Sequence, residues 1–168
     1  MSYAIYPSLV NKNVVITGGG SGIGAAIVEG FAKQGARVTF LDIARADSEA
    51  LASSLGECVH PPVFRYCDLR DIDTLNATFS DIEADTGPID VLINNAALEQ
   101  VDFFEHLTTS ETAQYVTVNL TAPIQLSRLV LAGMLKRGTG HIVNIASVAG
   151  FGGAAFGETY GATKAGLV

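Results

Sequence analysis

The sequence is short of charge, of cysteine and of uninterrupted apolar runs. Charged residues fill 16% of the 168 positions and hydrophobic residues 48%, where ordinary domains carry roughly 25% charged residues. That balance excludes a disordered chain and suffices for one core but not two, so residues 1–168 are expected to form a single domain. The two cysteines, Cys58 and Cys67, are nine apart and lack metal-ligand spacing, so no metal site is expected. They read as small packing residues; a disulfide stays open, although nothing suggests secretion. No stretch reaches the ~18 apolar residues of a membrane span, and Met1–Asn13 lacks a signal peptide's basic start and apolar run. The expectation is a cytoplasmic protein without membrane contact. Lys and Arg form no cluster and the net charge is -7, which argues against nucleic acid as a partner.

What is present alternates. Val14–Thr17 is an apolar run ending in glycines and reads as a buried strand. Ile23–Lys33 has helical spacing, with Ile23, Ile27 and Phe31 four apart and Gly35 just past its end. Strands are then expected at Arg37–Leu41, Pro62–Tyr66, Ile89–Ile93 and His141–Ala146. Helices are expected at Asp47–Leu55, Asp71–Glu83 and Ser110–Leu135, with a kink or local break at Pro123 and a further helix from Glu158. Such alternation predicts an α/β fold: a Rossmann-type, doubly wound parallel sheet between two helical layers, its strands buried on both faces.

Between the first strand and the first helix lies Thr17-Gly18-Gly19-Gly20-Ser21-Gly22-Ile23-Gly24. Glycines there let the backbone approach a pyrophosphate, and the helix N-terminus offers free N–H groups to it. Asp42 ends the second strand, 18 residues after Gly24. Its carboxylate suits the adenosine ribose hydroxyls and repels a 2′-phosphate, so NAD is expected over NADP. Arg45, close by, blurs that preference.

The spacing T-G-x-x-x-G-x-G and the motifs after it resemble the short-chain dehydrogenase/reductase family over nearly the whole chain. Asp68-Leu69, after the third strand, looks like the family's adenine-contacting Asp. Asn94-Asn95-Ala96-Ala97 is similar to its Asn-Asn-Ala-Gly, with Ala97 in place of glycine. Asn119, Ser147 and Tyr160-Gly-Ala-Thr-Lys164 match its catalytic residues in order and spacing. The resemblance implies that Thr17, Gly18, Gly20, Ser21, Gly22, Ile23, Gly24, Asp42, Asp68, Leu69, Asn95, Ala96, Tyr160 and Lys164 hold the dinucleotide. It further implies that Lys164 holds the nicotinamide ribose, Ser147 orients the substrate oxygen, and Asn119 anchors a water leading to Lys164. The implied reaction interconverts a small secondary alcohol and its ketone, with the hydride passed to or from NAD. The implied assembly is a homodimer or homotetramer built on the long helix and the Tyr/Lys helix.

Tyr160 is the expected acid/base. A free phenol has a pKa near ~10, too high for a base at neutral pH. Lys164 is four residues on, so a helix puts both on one face. An ammonium ~4 Å from a phenolate contributes ~4 kcal/mol at an effective dielectric of ~20, a lowering of roughly three pKa units before desolvation opposes it.

Family members run on past the Tyr/Lys helix with further strands and a substrate lid. The expectation is therefore a sheet lacking those strands, an exposed fifth strand, and a last helix with little to pack against. A different class, a nucleotide-binding fragment without catalysis, follows as an alternative. An epimerase or dehydratase of the extended relatives is a third, weakened by the glycine spacing. Residues 98–106 and 148–157 are expected to flank the substrate pocket; the first half leans toward bacterial sugar dehydrogenases of this family.

Overall fold

The structure, a computed structural model, describes residues 4–99, 103–152 and 157–168. The apolar runs form β1 (Asn13–Thr17), β2 (Arg37–Asp42), β3 (Val63–Tyr66), β4 (Val91–Asn94) and β5 (His141–Asn144). They pair in parallel as one 5-stranded sheet of order β3-β2-β1-β4-β5. Helices α1 (Gly22–Lys33), α2 (Arg45–Ser54), α3 (Ile72–Thr86), α4 (Thr109–Val116), α5 (Ala122–Arg137) and α6 (Glu158–Ala165) complete the chain.

Alternation along each strand divides the core in two. Val14, Ile16, Val38 and Phe40 pack with Val28 and Ala32 of α1 on one face. Val15, Leu41 and Leu92 pack with α3 and α5 on the other, through Leu75, Phe79, Ile82, Leu126 and Val130. These are the three layers expected. The inner strands β1 and β4 are buried throughout, whereas the edge strands β3 and β5 are not. An edge strand has a partner on one side only, so the expectation of full burial holds only inside the sheet.

The structure adds three local details to these expectations. The deeply buried row of α1 is Gly24, Val28 and Ala32, one position on from Ile23, Ile27 and Phe31; Ile23 is 67% exposed. Small residues let the helix lie close to the sheet, and Ile23 at its first turn is left facing the cleft described below. The long helix breaks before Pro123, as a π turn over Thr117–Thr121. Proline has no N–H for the Asn119 carbonyl and its ring crowds that turn, so the helix widens there. Lastly, Thr109–Arg137 as a whole is long and apolar enough to cross a membrane by length and composition. Its apolar row, Val118, Ala122, Leu126, Val130 and Met134, instead covers the sheet.

The cysteines are free thiols. Cys67 lies in the α3/α5 core and Cys58 packs against the α1/α2 core. Burial pushes the Cys67 thiol pKa up, as suits a packing residue.

Candidate active site

The strand order reverses between β1 and β4, and a crevice opens at the carboxyl ends of the strands, where α/β sheets bind ligands. Here it is a cleft of about 550 Å³. Its walls come from the segments after β1 (Gly18, Ser21, Gly22, Ile23, Gly24), β2 (Asp42, Ile43), β3 (Cys67 to Arg70) and β4 (Asn95 to Glu99), with Val118 and Tyr160.

The glycine turn is closely packed at Gly18, Gly19, Gly20 and Gly24. A Cβ on Gly24 would stand 1.8 Å from the Gly18 carbonyl oxygen, and one on Gly20 would stand 2.4 Å from Ser48 Oγ. The turn is also tied down. Asn95 Nδ2 donates to the carbonyls of Thr17 (3.1 Å) and Gly18 (3.0 Å). The Thr17 hydroxyl accepts from the N–H groups of Asn95 and Ala96, each at 3.1 Å. Thr17 is buried and thus lies beneath the turn, with Gly20, while the other glycine-turn residues named above line the cleft. No side chain caps the N-terminus of α1, so its first N–H groups are left for a ligand. Close backbone approach plus uncapped donors fit a pyrophosphate.

At the end of β2 the Asp42 carboxylate is fixed by backbone. One carboxylate oxygen accepts from Gly20 N–H (2.8 Å) and the other from Ala44 N–H (2.9 Å). A carboxylate has about four acceptor positions, so capacity remains for ribose hydroxyls. Asp68, expected to meet adenine, is engaged by Arg70, which sequence reasoning missed. Arg70 Nε lies 2.9 and 3.0 Å from its two oxygens and Nη2 lies 2.6 Å from one of them. That guanidinium holds the Asp68 carboxyl below its usual range. Arg70 Nη1 also donates to Gln114 at 3.2 Å, tying the segment after β3 to α4.

The Tyr/Lys helix is held on two sides, against the expectation that it would have little to pack on. Lys164 Nζ donates to the Ile145 carbonyl at 2.7 Å, just past β5. Asn119, 0% exposed in the π turn, accepts from Leu98 N–H (2.7 Å), donates to the Leu98 carbonyl (2.9 Å) and donates to Thr163 Oγ1 (3.3 Å). The Thr163 hydroxyl in turn donates to the Tyr160 carbonyl at 2.7 Å. Tyr160 therefore faces the cleft from a helix anchored to β5 on one side and to the long helix on the other. Lys164 Nζ lies 5.6 Å from the Tyr160 ring centroid. Burial pushes its ammonium pKa down. Ser147 caps the short turn Val148–Gly150, its Oγ accepting from Ala149 N–H at 3.2 Å. That turn packs on α6 where Gly150 and Gly161 leave room for backbone.

Thr163 was not singled out from sequence; its only signal is its place inside Y-x-x-x-K. Of the expected pocket flanks, 100–102 and 153–156 lie outside the described residues. Leu98 and Glu99 line the cleft.

The Asn119 bonds predict a stability effect. In Asn119→Ala, the Leu98 N–H and carbonyl lose their partners at a cost of roughly 1–3 kcal/mol each. The expected loss is about 2–4 kcal/mol by denaturant titration; a change under about 0.5 kcal/mol would sink this account of the residue.

Parallel sheet, switch-point cleft and glycine cradle define a dinucleotide-binding fold of the Rossmann type. Residues 12–168 match the short chain dehydrogenase family, and the chain belongs to it. It is 43% identical over 167 residues to a D-xylose 1-dehydrogenase of Caulobacter vibrioides, covering 99% of this chain and 66% of that protein. It is 37% identical to a probable galactose dehydrogenase of Rhizobium meliloti, covering 97% of this chain and 64% of that protein. A solved metagenomic short-chain oxidoreductase in complex with NADP superposes with a TM-score of 0.90 at 33% identity, covering 95% of this chain and 73% of the other. The chain thus spans about 66% of the length of the D-xylose 1-dehydrogenase it matches.

Proposed function

We propose that this chain binds NAD and interconverts a secondary alcohol with its carbonyl product, and that the alcohol is a hydroxyl of a small aldose. The single observation behind this is one cleft lined both by the uncapped glycine turn and by Tyr160, which sits on a helix braced through Lys164 and Thr163. Thr17, Gly18, Gly20, Ser21, Gly22, Ile23, Gly24, Asp68, Leu69, Asn95 and Ala96 form or support the cradle, and Asp42 takes the adenosine ribose. A solved relative was found with NADP, but the fixed Asp42 carboxylate favours NAD here. The sugar reading draws on the two sugar dehydrogenases above.

Bound NAD supplies a hydride acceptor at the carbinol carbon. The chain handles the proton. Ser147 orients the substrate oxygen, and the Tyr160 phenolate oxygen takes the hydroxyl proton during oxidation and returns it during reduction. Lys164, positively charged and nearly dry beside the ring, favours the phenolate and bonds the nicotinamide ribose. Asn119 serves as a positioning residue. With its side chain committed to Leu98 and Thr163, the Asn119 main-chain carbonyl, which Pro123 cannot bond, is the atom left to hold a water toward Lys164. A homodimer or homotetramer on the long helix and α6 belongs to the same reading. Ile124, Leu131 and Leu135 form an exposed apolar stripe for it; sedimentation as a monomer would remove that part. The other reading is nucleotide binding without turnover, for which the glycine cradle and cleft alone suffice.

Fluorescence titration with NADH and NADPH, followed by NAD reduction with aldopentoses and aldohexoses, tests the proposal. Saturable binding tighter for NADH, with sugar-dependent NADH formation, is expected. Binding without turnover on any alcohol would favour the second reading; no NADH binding would end both.

A further inference from the structure

We propose that Glu99 is a specificity-determining residue for the substrate: its carboxylate accepts from two neighbouring hydroxyls of a neutral, polyhydroxylated alcohol and turns anionic alcohols away. This rests on the reading of the chain as an alcohol-oxidising enzyme with Tyr160 at the reacting oxygen. Glu99 is exposed and lines the same cleft as Tyr160. Its backbone is fixed through its neighbour. The Asn119 side chain accepts from Leu98 N–H (2.7 Å) and donates to the Leu98 carbonyl (2.9 Å), and Leu98 packs against the α3/α5 core. The same amide donates to Thr163 Oγ1 (3.3 Å), whose hydroxyl donates to the Tyr160 carbonyl (2.7 Å). Asn119 and Thr163 thus link the backbone that delivers Glu99 to the backbone that delivers Tyr160.

Among the described residues the charged side chains lining the cleft are Asp42, Asp68, Arg70 and Glu99. The first three are committed. Gly20 and Ala44 N–H groups hold the two oxygens of Asp42, and Asp68 and Arg70 neutralise each other. Glu99 alone has neither a hydrogen bond nor an ion pair among the described residues. An ionised carboxylate only accepts, through two oxygens. Hydroxyls on adjacent carbons of a sugar can donate to both at once, whereas an alkyl chain offers no donor and an isolated hydroxyl offers one. A carboxylate or phosphate on the substrate offers none at neutral pH and meets like charge, and the one guanidinium in the cleft wall is already taken by Asp68. The cleft therefore favours a neutral polyol over a hydroxy acid or a phosphorylated sugar.

The test is steady-state oxidation of an aldopentose, a hexuronate and cyclohexanol by the whole chain, in wild type, Glu99→Gln and Glu99→Lys. NADH titration of each variant reports whether the cradle is retained. Glu99→Gln should raise KM for the aldopentose about tenfold or more, the size of a lost hydrogen bond to a charged group. Its kcat should change by less than about threefold, since the contact holds the substrate in ground and transition state alike. The aldopentose-to-cyclohexanol ratio of kcat/KM should fall accordingly. The hexuronate-to-aldopentose ratio should rise about fivefold or more in Glu99→Gln as a like charge is removed. It should rise further in Glu99→Lys, and that added gain should shrink at high salt. An aldopentose KM in Glu99→Gln within about twofold of wild type, or an unchanged hexuronate-to-aldopentose ratio, would overturn this proposal and leave the dehydrogenase reading standing. Wild type that oxidises cyclohexanol but no aldose would overturn it together with the sugar assignment. Wild type that binds NADH and oxidises none of the three would overturn both this proposal and the dehydrogenase reading.

Discussion

Tyr160→Phe is expected to lower alcohol-dependent NAD reduction by about 10²- to 10⁴-fold, the range of a lost positioned acid/base. Nucleotide affinity should stay within about twofold. The separation follows from geometry: the substitution removes one oxygen and keeps the ring that lines the cleft near Lys164. The backbone of α6 does not depend on the hydroxyl, since the Thr163 bond is made to the Tyr160 carbonyl. Steady-state kinetics alongside NADH titration would show a fall in kcat at unchanged binding. A variant with turnover within threefold of wild type would remove Tyr160 from the chemistry.

Gly24→Ala is expected to abolish nucleotide binding and to destabilise the fold by about 3 kcal/mol or more, at or above the upper end of overpacking costs. The added methyl would stand 1.8 Å from the Gly18 carbonyl oxygen and 2.6 Å from Asn95 Nδ2. Neither can yield freely, because Asn95 Nδ2 donates to that same carbonyl at 3.0 Å and to the Thr17 carbonyl. Two other glycines of α1 calibrate the effect. Gly22 has φ +53° but open space around its Cβ position, so Gly22→Ala should cost only the left-handed strain, about 1–2 kcal/mol. Gly30 lies mid-helix with open space, so Gly30→Ala should stabilise by about 0.5–1 kcal/mol. Thermal melts and NADH titration of the three variants check the order. Gly24→Ala behaving like Gly22→Ala would mean that the close approach is not what makes the turn.

Much of the architecture was legible because strand and helix patterns are local. Apolar runs of four to six residues ending at glycine, aspartate or asparagine mark β1, β2 and β4, and the helical spacing of Ile72, Leu75, Phe79 and Ile82 marks α3. The glycine turn was legible for the same reason, since its conformation is written in consecutive residues. Three features were legible only in part. Pro123 announced a break but not its form, because the widened turn spans the residues before the proline. The stripe Ile23, Ile27, Phe31 fitted helical spacing, yet the buried row is the neighbouring small-residue one. Spacing alone does not say how closely a helix approaches its sheet. The burial of α6 was missed, since it depends on a helix some 44 residues earlier reaching Thr163 through Asn119.

The sequence by itself determined the element order, the parallel sheet, the phosphate-type turn and the set of residues able to do proton chemistry. These depend on periodicity and on side-chain chemistry within a few positions. Only the tertiary structure decided which partners those residues take. It pairs Arg70 with Asp68, commits Asn119 to Leu98 and Thr163, buries the Lys164 ammonium against the Ile145 carbonyl, and stacks Arg45 on Tyr66. Apart from the Asp68–Arg70 pair, each joins segments well separated along the chain. The distance between such groups is set by how the layers pack on the sheet, a property that no local pattern contains.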